Sequence, residues 1–229
     1  MIINGTTVQI TKKRIKNIYL RVLPGGVVTV TAPLHMTDKE IENFVQNHQD
    51  WIAKHKERLL SRQDKMEYAY ETGEEHYLWG KKYTLEVVYT KGKKTASLQG
   101  DSILLEIPAE ATAEQREAVM DAFYRRQMQA RLPEVIAKYS EIVGKSPKSY
   151  GIKKMKTRWG TCNTTDSRIW LNLTLAKYNI LCLEYVVTHE LVHFYEKGHN
   201  PAFYGHLDRF FPNWKEVKKA LNDGKFNAF

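Results

Sequence analysis

Residues 188–199 read Thr-His-Glu-Leu-Val-His-Phe-Tyr-Glu-Lys-Gly-His, and they carry the densest chemistry in the chain. The run Leu183 to Glu196 has no Pro or Gly, and Val186, His189 and His193 recur at helical spacing, so a helix is predicted there. On a helix, His189 and His193 leave one face a turn apart, where two neutral imidazoles can chelate a single tetrahedral metal. Glu190 follows the first of them, and its carboxylate can take a proton from a metal-bound water. Zn²⁺ lowers the pKa of such a water from about 15.7 to roughly 7, within reach of a weak base. The surrounding Val186, Val187, Leu191, Val192 and Phe194 argue for a buried or cleft-lining helix rather than a solvated one.

A third ligand must come from nearby, and His199, His206, Glu196, Asp208 and Glu216 are candidates. His199 is best placed. Gly198 suits a left-handed residue closing the helix, and Asn200-Pro201 suit the N-cap and first position of the next. His199 then falls in the corner between them. The His-x₃-His-x₅-His spacing is also that of the metzincins, but their pattern needs Gly where Glu196 stands and a downstream Met-turn, and no Met follows Met155. Glu216 on the following helix stays open as a glutamate ligand, and His206 reads as a surface or supporting residue about two turns beyond His199.

The elements that position this helix can be read in order. Residues 1–34 alternate apolar and polar: Val8 and Ile10, then Ile18, Leu20 and Val22, then Val28 and Val30 after Pro24-Gly25-Gly26, as in a hairpin or small meander. Thr37-Asp38-Lys39-Glu40 is a capping box opening one long helix to about Arg62. A polar loop spans Gln63 to Glu75. Strands Lys82–Tyr89 and Ser102–Ile107 are expected to form a hairpin through a Lys/Gly-rich turn. Thr112-Ala113-Glu114-Gln115 opens a second helix that Pro133 should restart or kink towards Val143. In Tyr124-Arg125-Arg126 the aromatic belongs in the core and the arginines in water. Ile152–Met155 is a brief strand, Thr157–Cys162 a loop, and Arg168–Leu173 a strand preceding the histidine helix. Asn213-Trp214-Lys215-Glu216 caps a terminal helix to about Asn222. The fold class expected is α+β: a β-rich region over 1–110 with one long helix, then a helical catalytic domain over 111–229.

With 229 residues, 42% hydrophobic and 27% charged, the chain can bury a sizeable core. No run approaches the ~20 apolar residues of a membrane span, and the opening Met1-Ile2-Ile3-Asn4-Gly5 lacks a signal-peptide layout. A cytoplasmic location is expected. Cys162 and Cys182 make no disulfide framework, although a single bridge between them stays open. The net charge of +9 and pI near 9.3 point to an anionic partner such as nucleic acid, a nucleotide or an acidic polypeptide. The basic cluster Lys153 to Arg158 leads directly towards the histidines, so Arg158 is a candidate for holding an anionic substrate group or for bracing its loop.

These residues together resemble a known family. Arg158-Trp159-Gly160-Thr161-Cys162, Asn172-Leu173, Glu184 through His193, His199 through Tyr204 and Pro212 are similar to the YgjP-like (WLM/SprT-related) metal-dependent hydrolases. Arg21-Val22, Val28 through Pro33, Trp51-Ile52 and Gly80 through Tyr83 extend the likeness to the N-terminal half. The resemblance implies a minimal zincin domain after a β-rich region, with His189, His193 and His199 holding zinc and Glu190 as general base. Arg158, Trp159 and Asn172 would contact substrate. The family pattern has Ser where Thr161 stands and differs again at Asn200 and Tyr204, outside the metal ligands. Peptide hydrolysis is the leading reaction expected. Some family members are described as nucleoside-triphosphate (UTP) pyrophosphatases, which makes a nucleotide substrate the alternative. A nucleic-acid-associated protein with a structural zinc is the third reading.

Overall fold

The computed structural model describes residues 2–3, 6–23, 27–63 and 68–229, with 57–63 described for their backbone only. The fold is α+β, with three small sheets and six α-helices among the described residues. Two compact units divide the chain at 67/68. That boundary falls well before the expected 110/111, because the strands up to Ile107 share one core with the helices that follow them.

In the first unit, β1 (Ile2–Ile3), β2 (Thr6–Lys13), β3 (Tyr19–Val22) and β4 (Val28–Pro33) form one sheet in the order β1-β2-β4-β3. β3 and β4 are antiparallel neighbours, whereas β2 runs parallel to β4, so the unit is not a simple meander. The expected turn at Pro24-Gly25-Gly26 lies outside the described residues. Val28 and Val30 are buried with Ile41, Val45 and Ile52 from α1 (Asp38–Gln46) and α2 (Gln49–Gln63). The capping box forms as its residues dictate, with Thr37 accepting from the Glu40 amide and Glu40 from the Thr37 amide. The single long helix does not. At the break His48 Nδ1 lies 2.7 Å from the Phe44 carbonyl, the acceptor its own amide would use in an unbroken helix, and that amide turns to Val45 instead.

The second unit begins with β5 (Glu75–Leu78), β6 (Lys81–Tyr89), β7 (Thr95–Gln99) and β8 (Ser102–Ile107), ordered β5-β6-β8-β7. The expected hairpin of β6 with β8 is overturned: they pair in parallel, and β7, inside the Lys/Gly-rich connection, returns the chain. α3 (Ala113–Val143) packs on this sheet and runs unbroken through Pro133. Met128, Leu132, Val135, Ile136 and Tyr139 bury a continuous face across the proline, which offsets its missing hydrogen bond. Tyr124 is in the core as expected, but Arg125 and Arg126 donate to the carbonyls of Ile152 and Ala96 rather than facing only water. Gly144 ends α3 in the left-handed region at φ 74°.

β9 (Ser149–Lys153), β10 (Gly160–Asn163) and β11 (Arg168–Asn172) make the third sheet, in the order β10-β11-β9. Residues 160–162, expected as loop, belong to an edge strand, and β11 is central. A 3₁₀ turn over Leu173–Lys177 leads to α4 (Ile180–Val192), α5 (Pro201–Phe210) and α6 (Trp214–Asn222). No described helix is long and apolar enough to cross a membrane. Cys162 and Cys182 are both free thiols.

Candidate metal centre

α4 is held at its start by Asn179, whose side chain accepts from the Leu181 amide, and is buried along most of its length. It stops at Val192, earlier than expected. His193 nevertheless keeps helical angles (φ −61°, ψ −15°), so the four-residue spacing from His189 is preserved. Gly198 is not among the glycines with positive φ, and the helix ends without it. Instead the amides of Tyr195 and Glu196 both reach the Val192 carbonyl, and the Tyr195 hydroxyl donates to Val143 at the end of α3, 2.8 Å away. The next helix starts as its sequence requires, with Asn200 accepting from the Phe203 amide and Pro201 in the first turn.

This corner brings the three imidazoles together. The donor atoms of His189, His193 and His199 lie within 4.8 Å of one another. His189 Nε2 and His199 Nε2 are 3.0 Å apart, a separation that a shared proton or cation makes favourable. His193 Nδ1 meets the Glu196 carbonyl at 3.0 Å; donation there leaves Nε2 with its lone pair free. Phe203, fully buried, floors the group, its ring centroid 4.7–4.9 Å from each of the three. Burial, then the other two imidazoles and Lys218, push His189 down to about 3, and burial, His193 and Lys218 lower His199 as well. Three imidazoles with converging ring nitrogens are a donor set that suits a divalent cation, so the residues fit a metal.

The other candidate ligands are committed elsewhere. Glu196 accepts from Asn200 Nδ2 at 2.9 Å, Asp208 accepts from Trp214 Nε1 at 2.8 Å, and His206 stacks on Tyr195 at 4.8 Å. Glu216 is exposed on α6 and outside the histidine group.

Glu190 is buried, and that burial lifts its carboxyl to about 8 against the opposing charge of Arg158. β10 presses directly on it. A Cβ on Gly160 would stand 2.6 Å from Glu190 Oε1 and 2.9 Å from Val186 Cγ1, so only glycine permits this approach. Glycine's place beside the helix could not be read from the sequence, since it depends on packing between distant segments.

A cleft of about 700 Å³ opens over these groups, bounded by β10, α4, α5 and α6. Arg158 and Trp159 line it, Trp159 resting edge-on against Tyr178 at 5.2 Å. Asn172 does not. It is buried, donating to the carbonyls of Met155 (2.9 Å) and Arg158 (2.8 Å) and accepting from the Thr174 amide (3.1 Å). Its place is beneath the 155–158 segment, which it braces. Tyr204 and Lys218, the latter not singled out by sequence, complete the cleft wall.

A family model described as YgjP-like, metallopeptidase domain, matches residues 16–224. No curated protein matches the chain. Among solved structures, the metallopeptidase zymogen abylysin of Pyrococcus abyssi is similar at 18% identity, covering 39% of this chain and 90% of that one, with a TM-score of 0.37.

Proposed function

Starting from the chain's membership of the YgjP-like metallopeptidase-domain family, we propose that it is a zinc-dependent peptidase in which His189, His193 and His199 hold the metal and Glu190 is the general base. The observation that carries this reading is the convergence of three imidazoles beside a buried carboxylate in an open cleft. Three nitrogen donors and an accessible position suit Zn²⁺ in a catalytic rather than a closed structural site. When bound, the metal would supply Lewis acidity, polarising a carbonyl and acidifying water.

The chain's own residues do the rest. Glu190 removes a proton from the attacking water and returns it to the leaving amine, and its apolar surroundings make the ionised carboxylate a stronger base. His193 is fixed through Nδ1 by the Glu196 carbonyl, which holds its ring orientation through turnover. Among the described residues β10 pairs with β11 on one side only, and it lines the cleft. Its other edge offers backbone donors and acceptors that an extended polypeptide can pair with, which favours a peptide substrate.

Hydrolysis of a nucleoside triphosphate such as UTP on the same centre is the second reading, favoured by the cations Arg158, Lys197 and Lys218 along the cleft. Nucleic-acid association with a structural zinc has less support, since Glu190 and the open cleft have no part in it. Assays of unfolded polypeptide and of UTP with the zinc-loaded chain separate these readings. Polypeptide cleavage supports the peptidase; cleavage of UTP alone moves the assignment to the second.

A further inference from the structure

Apart from Glu190, the charged residues lining the cleft are cationic: Arg158, Lys197 and Lys218. Lys218 is the one the fold prepares most. It is half-buried on α6, its Nζ 5.3 Å from the ring centre of Trp214 and 5.7 Å from that of Tyr204. Those two rings stack on each other at 5.2 Å, and Trp214 is fixed by its 2.8 Å bond to Asp208. The ammonium is therefore held over an aromatic platform, with little side-chain freedom left to lose on binding. Its neighbour Lys215 spends its charge on Asp208 at 3.8 Å. Among the described residues, the Lys218 ammonium has no ion pair with a carboxylate and no hydrogen-bond acceptor.

From this arrangement we propose that Lys218 is a specificity residue, which recognises an acidic side chain flanking the scissile bond of a polypeptide substrate. An extended chain laid along β10 presents every second side chain to one wall of the cleft, and Lys218, Leu221 and Asn222 contribute α6 to those walls. A carboxylate arriving there gains a charge-assisted hydrogen bond to a pre-placed cation, while a basic side chain meets like charge. Arg158 and Lys197 add to the same field, so polypeptides with acidic stretches are the substrate class the cleft selects. This inference rests on the peptidase reading given above.

The test uses the full zinc-loaded chain and a set of otherwise identical peptides carrying Asp or Glu, Asn or Gln, or Lys at each position flanking the cleaved bond. The wild-type chain is expected to show a kcat/KM about tenfold higher for the acidic peptide than for its amide counterpart. Lys218→Met should bring that ratio to near unity, Lys218→Arg should keep most of it, and Lys218→Glu should reverse it in favour of the Lys peptide. Because each ratio is taken within one protein, it is independent of how much of a variant folds. A wild-type ratio near unity, or a ratio unchanged in Lys218→Met, overturns the inference and leaves the peptidase reading standing. Cleavage of UTP with no cleavage of any peptide overturns both.

Discussion

His189 and His76 share two marks of a perturbed histidine, although His76 is fully buried and His189 only partly so. Both are pushed down to about 3, first by burial, and both have a buried Nδ1 with no hydrogen-bond partner among the described residues. Their neighbours differ. His189 faces two further imidazoles and a cleft, whereas His76 stacks on Tyr68 at 4.2 Å, bonds Glu74 at 3.2 Å and lies near the charge of Lys177. A depressed imidazole is therefore no sign of a site by itself. Convergent donors, a neighbouring carboxylate and access from solvent distinguish the centre from a histidine that serves the core.

The largest effect that would sharpen this contrast is removal of a ligand. His189→Ala or His199→Ala should lose bound zinc and all detectable hydrolysis, measured by elemental analysis and peptide turnover, whereas His76→Phe should keep both. Loss of zinc in the His76 variant would break the distinction. Glu190→Gln comes next: it should hold zinc as tightly as the wild type and lower kcat/KM by roughly 10²–10⁴. Gly160→Ala should cost about 10² in kcat with zinc retained, because its methyl would displace Glu190 Oε1 from a 2.6 Å approach.

The smallest effect separates His76 by pH. Unfolding returns its imidazole to the ordinary value of 6.5, so between pH 6.5 and about 3 the unfolded chain takes up a proton that the folded chain refuses. Stability is thus lost as pH falls through that window, on the order of 3 kcal/mol by pH 4 from this group. His76→Phe removes that contribution. Its urea midpoint, compared with the wild type, should improve on going from pH 7 to pH 4, and an unchanged difference would contradict the assignment.

What could be read from the sequence follows the range of the forces involved. The capping boxes at Thr37 and Thr112, the Asn200-Pro201 helix start and the imidazoles of His189, His193 and His199 depend on residues at most ten positions apart, and local spacing exposes them. The parallel pairing of β6 with β8 and the edge position of β10 are settled by long-range contacts that alternating patterns do not encode. Asn172 shows the same limit within the candidate site. Its motif likeness suggested substrate contact, but which carbonyls it meets is decided by a loop fourteen to seventeen residues away. Phe203 had a signal that could have been used, since an aromatic three residues past an N-cap returns to the corner where His199 sits.

The most direct test of the central claim pairs zinc content with polypeptide hydrolysis for the wild type and Glu190→Gln. About one zinc per chain is expected in both proteins, with cleavage by the wild type alone. A wild-type chain that binds no zinc, or a Glu190→Gln variant that cleaves polypeptide as fast as the wild type, would contradict that claim.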